Sequence, residues 1–364
     1  MERPIDLEMN YPSLPGQEEE FSALLRVAAG ELENLSALSP TGGAIEDKEI
    51  AAQWLSKEGY PVAPRHVYLG SGGHHATLTA LLAAGLTGKT VVAEEFTYSN
   101  FKAVAALLNI KLLPCPADAL GLKPVALREI CARHQADFGR APDGLFIMAT
   151  INNPTGTVLP LDRRKEIAAI ARATNMLIIE DDAYGFLEEE RLPNFFDLAP
   201  ERSFYIYSFS KPLMPGIKLS YILAPEELGG AVVQALRLSS TNIPVLYTRL
   251  LNAFIGTGRM DKIIREKQEE GRRRQQVARS LLGDYPVLGH INGWHLWLSL
   301  PAGVIATELD EQLQQRGVRI VPSTGYSITQ TPYEGAIRIA LGGERDMRRV
   351  VEGIERIKTE IGPG

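Results

Sequence analysis

SFSKPLMPGIKLSY, residues 208–221, sets a lysine just past the β-rich run FYIYSFS and follows it with two prolines and a glycine. Lys211 therefore stands at the end of what reads as a buried strand, where an unpaired ammonium is costly. The rest of the chain must supply a partner for it, or a reaction that requires it. Working outward, short β-rich runs alternate with helical stretches from about residue 66. VYLGSG (67–72) leads into HHATLTALLAAG (74–85), TVVAEE (90–95) into YSNFKAVAALLN (98–109), and IKLLPC (110–115) into PVALREICARHQ (124–135). GLFIMAT (144–150), DRRKEIAAIARAT (162–174) and MLIIEDD (176–182) continue the series. Runs such as LFIMA and MLIIE are apolar on both faces, as strands of a covered parallel sheet are. The pattern predicts a doubly wound α/β domain.

Beyond residue 258 the texture changes. GRMDKIIREKQEEGRRRQQVARSLLG (258–283) predicts one long, highly charged helix with Ile263, Ile264, Val277 and Leu281 as its apolar positions. Its charge run reads as a solvated face with no functional weight. Short strands (HLWLSL, VRIVPS, AIRIAL) and helices (ATELDEQLQQR, DMRRVVEGIERI) follow. They predict a smaller α+β unit, with residues 1 to about 35 returning to pack with it.

Composition narrows the function classes. A chain of 364 residues, 45% hydrophobic and 23% charged, can bury a large core as two domains or one large α/β unit. A net charge of −6 argues against nucleic acid as the main partner. The 33 glycines suit a fold with many tight turns near bound ligands. Two cysteines, Cys115 and Cys131, lack CxxC spacing, so a reducing cytoplasmic setting is expected rather than a disulfide framework. MERPIDLEMNYPSL at the N-terminus has no apolar run and does not read as a signal peptide. No stretch of about eighteen apolar residues offers to span a membrane. The expectation is a soluble cytoplasmic protein.

Three motifs carry chemistry. GSGGHH (70–75) follows a strand, opens a helix and precedes Glu94 and Glu95, which approaches a dinucleotide-binding fingerprint. His75 occupies the third glycine's place, where it crowds the helix–strand contact. The more general content is that Gly72, Gly73 and His74 present backbone N–H groups at a helix start, either as an anion site or as a plain tight turn. His74 and His75 are adjacent and face different sides of a helix, so no metal pair is expected. INNPTG (151–156) is either only a turn or a device that holds the Asn153 amide at the carboxyl end of a strand, where α/β folds bind ligands. MLIIEDDAYGF (176–186) ends its strand in two aspartates, of which Asp181 is expected inward and the other exposed. A buried carboxylate needs a cation, either Lys211 or one that the protein binds.

NPTG, D-x-A-Y and S-x-S-K, in that order and about thirty residues apart, together resemble the pyridoxal-phosphate enzymes of the aspartate aminotransferase fold, fold type I. The chain is similar in particular to the class I/II aminotransferases and to the aminotransferase-like domain of the MocR regulators, from about residue 40 to the C-terminus. The resemblance implies a large cofactor-binding domain over 36–255, with a mostly parallel seven-stranded sheet between helices, and a small α+β domain from 1–35 and 256–364. It implies that Lys211 forms an aldimine with the aldehyde of pyridoxal 5'-phosphate and, once freed, carries the proton between Cα and the cofactor. Asp181 pairs with the protonated pyridine nitrogen, Asn153 and Tyr184 hydrogen-bond the phenolic oxygen, and Tyr98 stacks on the ring unless it is only a helix-start tyrosine. The phosphate lies on Gly72, Gly73 and His74, flanked by Ser208 and Ser210. Seven residues past Lys211 the family usually has an arginine for this phosphate; here Lys218 keeps the charge without the bidentate fork. Arg338, inside the apolar run GAIRIALGG, matches the arginine that clamps the substrate's α-carboxylate.

The chain departs from the family in two places. ALSPTGG (37–43) offers Leu38 and Ser39 where relatives carry a tyrosine that reaches the partner subunit's phosphate. Because the sequence opens on the enzyme-like part, a winged-helix domain like that of the MocR regulators is not expected. The resemblance implies a ping-pong aminotransferase acting on an amino acid and a 2-oxo acid, as a homodimer, with no nucleic acid, membrane or metal partner. Another pyridoxal-phosphate reaction (lyase, decarboxylase, racemase or cyclase) or a non-catalytic sensor remains the alternative. NYPSLPGQ (10–17) is expected to cover the substrate pocket.

Overall fold

The computed structural model describes residues 3–30 and 38–362. Seven strands form the main sheet: β1 (Val67–Gly70), β2 (Thr90–Glu94), β3 (Lys111–Cys115), β4 (Gly144–Ile147), β5 (Leu177–Asp182), β6 (Ser203–Ser208) and β7 (Ser220–Leu223). Their order is β1-β7-β6-β5-β4-β2-β3, with β7 antiparallel to both neighbours and every other pairing parallel. Strands buried on both faces need apolar runs, and Val67–Gly70 and Gly144–Ile147 are buried at every position. A four-stranded antiparallel sheet follows later in the chain, of β8 (Val287–Leu288), β9 (His295–Ser299), β10 (Val321–Pro322) and β11 (Ala336–Ala340), in the order β8-β9-β11-β10. Among the described residues, no helix is long and apolar enough to cross a membrane.

Five helices matter for the site: α1 (Gln17–Gly30), α2 (Gly73–Ala83), α3 (Leu161–Thr174), α4 (Val245–Gly256) and α5 (Arg259–Leu282). The N-terminal segment divides its packing, unlike the expectation that it joins the small unit throughout. Ile5–Asp6 pairs in parallel with Val318–Arg319, and Ile5 and Leu7 enter the smaller apolar core. α1 instead lies on α4, with Leu24 and Ala28, one helical turn apart, in the larger core. The domain boundary placed at 35/36 lies outside the described residues.

α5 also departs from its reading as a solvated charge run. Its Met260, Ile263 and Ile264 pack in the larger core, and its Ala278 and Leu282 in the smaller one, so the helix starting near the 255/256 division is shared by both. Lys267, Arg274 and Gln275 are buried. Arg274 donates to the main-chain oxygens of Leu341, Glu344 and Arg345 just past β11, and Gln275 to those of Gly293 and His295. Long polar side chains placed at buried helix positions act here as hydrogen-bond keys to irregular backbone that has no ladder partner.

A buried arginine holds the loop after β4. Arg164 on α3 donates to the oxygens of Ala149, Leu159 and Pro193 and to Thr150 Oγ1, and its guanidinium lies 3.7 Å from Glu180. Both residues are fully buried, so truncating one strands the other. Arg164→Ala is expected to cost about 3 kcal/mol or more, read as a lower urea midpoint at unchanged slope.

Candidate active site

The site lies where the carboxyl ends of β4, β5 and β6 face the second sheet, the position at which open α/β sheets bind ligands. It is an open cleft of about 600 Å³ that gathers every residue the resemblance assigns to cofactor or substrate. Asp181 is the penultimate residue of β5, Ser208 closes β6, and Lys211 follows three residues later. Asn153 comes from the loop after β4, and Arg338 from the middle of β11, opposite Trp297 and Val321.

The β4 loop is built rather than loose. Asn152 N–H donates to Thr157 O at 2.9 Å and Gly156 N–H to Asn152 O at 2.7 Å. Ile151, fully buried, takes a left-handed φ of 53°, a conformation costing a β-branched residue about 1–3 kcal/mol. Gly156, at φ 70°, is obligatory, since a Cβ there would fall 2.7 Å from Gly289 Cα. Glu94, weighed above as a ribose-binding acid, is instead buried and accepts from Asn152 Nδ2 at 2.6 Å. Burial pushes its carboxyl up to about 8, so it serves this loop as a largely protonated group.

Asp181 is buried and its Oδ1 has no hydrogen-bond partner. Burial, and then the neighbouring Asp182 carboxylate, push its acid up to about 7. Asp182 is buried too, contrary to the expected exposed strand end, because it accepts from Tyr205 O–H at 2.7 Å and Gly185 N–H at 2.8 Å. Of the two cations open to Asp181, Lys211 does not pair with it. Lys211 Nζ donates instead to Asn10 O at 2.5 Å and sits 3.5 Å from the Tyr11 ring centroid. Burial holds its amine well below the usual lysine range, and the Arg338 and Lys218 charges add to this.

Arg338 is buried without a carboxylate partner among the described residues. Its guanidinium donates to Asn153 Oδ1 at 3.1 Å and to Glu8 O, while its Nε has no acceptor. Asn153 thereby keeps its amide N–H₂ free to donate. Tyr184 is buried beside Lys211 and its hydroxyl donates to Asn10 O at 3.3 Å. Burial raises its phenol pKa and keeps the proton on it.

The glycine turn forms a cradle. Gly72, at φ 86°, precedes α2, which has no side-chain cap, so the N–H groups of its first turn lack intrahelical acceptors. A Cβ on Gly73 would lie 3.2 Å from Ser208 Cβ, and one on Gly72 3.5 Å from Lys218 Cα. Lys218 makes no ion pair among the described residues, and Ser210 Oγ donates to Ile217 O at 3.3 Å. His75 turns away, accepting from Ser71 N–H at 3.0 Å and meeting Ser239 Oγ at 2.7 Å. His74 turns into the cleft, where its Nε2 lies 2.6 Å from the Tyr98 hydroxyl oxygen and 2.8 Å from Asn100 Nδ2. Burial, then the Lys218 and Lys211 charges, lower the His74 pKa and favour a neutral ring.

Sequence reasoning missed an interior network. His295 at the start of β9 bridges Asn10 Nδ2 and Asn152 O, both at 2.9 Å. Burial drives its pKa to about 3, so the ring is neutral and ties the N-terminal segment to the β4 loop. Asn100 and Lys267, the latter described below, were missed as well, whereas Tyr11 falls in the NYPSLPGQ segment expected over the pocket and does line the cleft. Lys267 carried a signal, since a lysine four residues past Ile263 and three past Ile264 shares their buried stripe.

The unpaired groups fit one kind of ligand. The turn of free N–H groups, Ser208 and Lys218 suit a phosphate. The orphaned Asp181 oxygen suits a protonated ring nitrogen, and Arg338 with its unsatisfied Nε suits a carboxylate. Comparisons with known proteins agree. The family model described as "Aminotransferase class I and II" matches residues 2–354. The 2-aminoadipate transaminase of Thermus thermophilus is 26% identical, over 95% of this chain and 86% of its own length. An uncharacterized HTH-type transcriptional regulator of Bacillus subtilis is 24% identical over 86% of this chain, which spans only 66% of that regulator. The crystal structure of an archaeal alanine:glyoxylate aminotransferase superposes with a TM-score of 0.89 at 22% identity, covering 99% of this chain and 91% of that one.

Proposed function

The chain belongs to the class I and II aminotransferases, with the fold of the aspartate aminotransferase group, and from that premise we propose that it moves an amino group from an amino acid to a 2-oxo acid with pyridoxal phosphate as cofactor. One observation carries the reading. Three groups, the half-buried Lys211 amine and the buried Asp181 carboxyl and Arg338 guanidinium, meet in one cleft without forming ion pairs with one another. Groups left unpaired at such cost are kept for a ligand that pairs them.

Bound pyridoxal phosphate supplies an electron sink for the bonds at the amino acid's Cα. Gly72, Gly73 and His74 offer main-chain N–H groups to its phosphate, with Ser208, Ser210 and Lys218 beside them. Asp181 holds a proton at the ring nitrogen. Asn153 and Tyr184 donate toward the phenolic oxygen, and Tyr98, fixed by His74 and Asn100, packs on the ring face. Arg338 exchanges Glu8 O for the substrate carboxylate and so fixes the orientation of the Cα–H bond. The Lys211 amine, kept neutral by burial and by nearby cations, would take that proton from Cα and hold it for return to the carbon across the substrate nitrogen. A homodimer in the cytoplasm completes the reading, its support being the family alone.

The visible absorption spectrum of the cofactor-loaded protein, titrated with a panel of amino acids, tests this. Bleaching to the amine form of the cofactor by some amino acids, reversed by a 2-oxo acid, is the expected result. Conversion of the amino acid without any need for a 2-oxo acid points to lyase, decarboxylase, racemase or cyclase chemistry. The similarity to transcriptional regulators favours a sensor as the second reading. A band that no amino acid bleaches under single-turnover conditions selects it.

A further inference from the structure

Lys267 on α5 is fully buried in the middle of the charged run, and among the described residues no carboxylate pairs with it. Its ammonium donates to the main-chain oxygens of Lys211 and Leu213, both at 2.9 Å. These carbonyls flank Pro212, which has no N–H of its own, and Gln17 donates a second time to Leu213 O. The same turn of α5 holds two other parts of the site's frame. Gln268 donates to Phe186 O at 2.9 Å, two residues past Tyr184. Trp294, which precedes His295, donates to Lys267 O at 3.0 Å. Gly271 lets this contact close, since a Cβ there would meet Asn292 O at 2.2 Å.

An amide or a water can satisfy two carbonyls at less cost than a desolvated ammonium. The retained charge therefore calls for a use, and the nearest one is Lys211. We propose that Lys267 is a positioning residue for Lys211, clamping the Lys211–Leu213 turn so that the Lys211 stem has a fixed base, and adding a cation that disfavours a second charge on the Lys211 amine. The charged groups acting on that amine are Arg338, Lys218, Asp181 and Lys267, and of these only Asp181 favours its protonation. Burial brings Lys267 itself down to about 7, so its charge acts most at and below neutral pH. The inference rests on the reading of Lys211 as the cofactor lysine.

Cofactor-loaded wild type, Lys267→Met and Lys267→Gln distinguish the possibilities through steady-state kinetics, hydrogen exchange of residues 209–214, and the pH midpoint of the visible band. Lys267→Met is expected to lower kcat about ten- to a hundredfold with KM changed less than about threefold, and to speed exchange in the loop. Loss of the cation should also raise the band's midpoint by about half a unit. Lys267→Gln keeps donors without charge, and should recover most of kcat while retaining the shifted midpoint. A folded Lys267→Met protein with unmoved midpoint and kcat within twofold of wild type overturns the proposal. If Lys267→Met does not fold, the midpoint in Lys267→Gln decides alone, and an unmoved one overturns it. A wild type with no visible band fails the cofactor reading, and this inference with it.

Discussion

Lys211→Ala is expected to lower turnover by at least about 10⁴-fold while the protein stays folded and still takes up pyridoxal phosphate. The expectation follows from how little else can do its work. The other lysine lining the cleft, Lys218, is exposed on the phosphate side, and Lys267 is turned to the main chain behind the loop. The histidines are committed as well, His74 to Tyr98 and Asn100, and His295 to Asn10 and Asn152. Stability should hardly change, because truncation gives up one hydrogen bond to Asn10 O but also relieves a desolvated amine crowded by cations. Thermal melting with and without the cofactor separates loss of folding from loss of chemistry. Turnover within tenfold of wild type in a folded Lys211→Ala protein sinks the assignment of the base.

What the sequence disclosed was whatever a local pattern or a fixed spacing encodes. Strands buried on both faces announce themselves as apolar runs, so six of the seven strands of the main sheet were legible apart from their exact ends, while the antiparallel Ser220–Leu223 was not read as a strand. Arg338 stood out because a guanidinium inside an apolar strand has no structural excuse. Asp181 and Lys211 stood out because each ends a strand of that kind. What stayed hidden depends on partners distant in the chain. Lys267 looked like one more charge in a solvated run, and only the loop 54 and 56 residues away, bonded to its ammonium, shows its use. Asp182 looked exposed until Tyr205, on the adjacent strand, covered it. The NYPS segment was expected over the pocket, but not that Glu8 and Asn10 would lend main-chain oxygens to Arg338 and Lys211. A carbonyl leaves no side-chain signature in a sequence.

Asp181→Asn is expected to separate stability from activity. In the protein without cofactor the carboxyl is buried with one oxygen unpartnered, and Asp182 adds a like charge beside it. Its acid is raised from the usual aspartate range to about 7, so the folded state binds a proton that the unfolded chain has released. Stability of the wild type therefore falls as pH rises from about 4 to about 7, and the full penalty stands above that window. The neutral amide avoids it. Asp181→Asn without cofactor should be more stable by about 1–3 kcal/mol at pH 8, with a smaller gain at pH 5 that vanishes near pH 4. With cofactor the order reverses, because in the proposed reading the carboxylate would hold a proton on the ring nitrogen. Turnover should drop about 10³-fold, and pyridoxal phosphate should raise the melting temperature of the variant less than that of the wild type. Urea denaturation at pH 5 and pH 8, each with and without cofactor, reads all of these. A variant less stable than wild type at pH 8 contradicts the raised acid, and one as active as wild type removes Asp181 from the site.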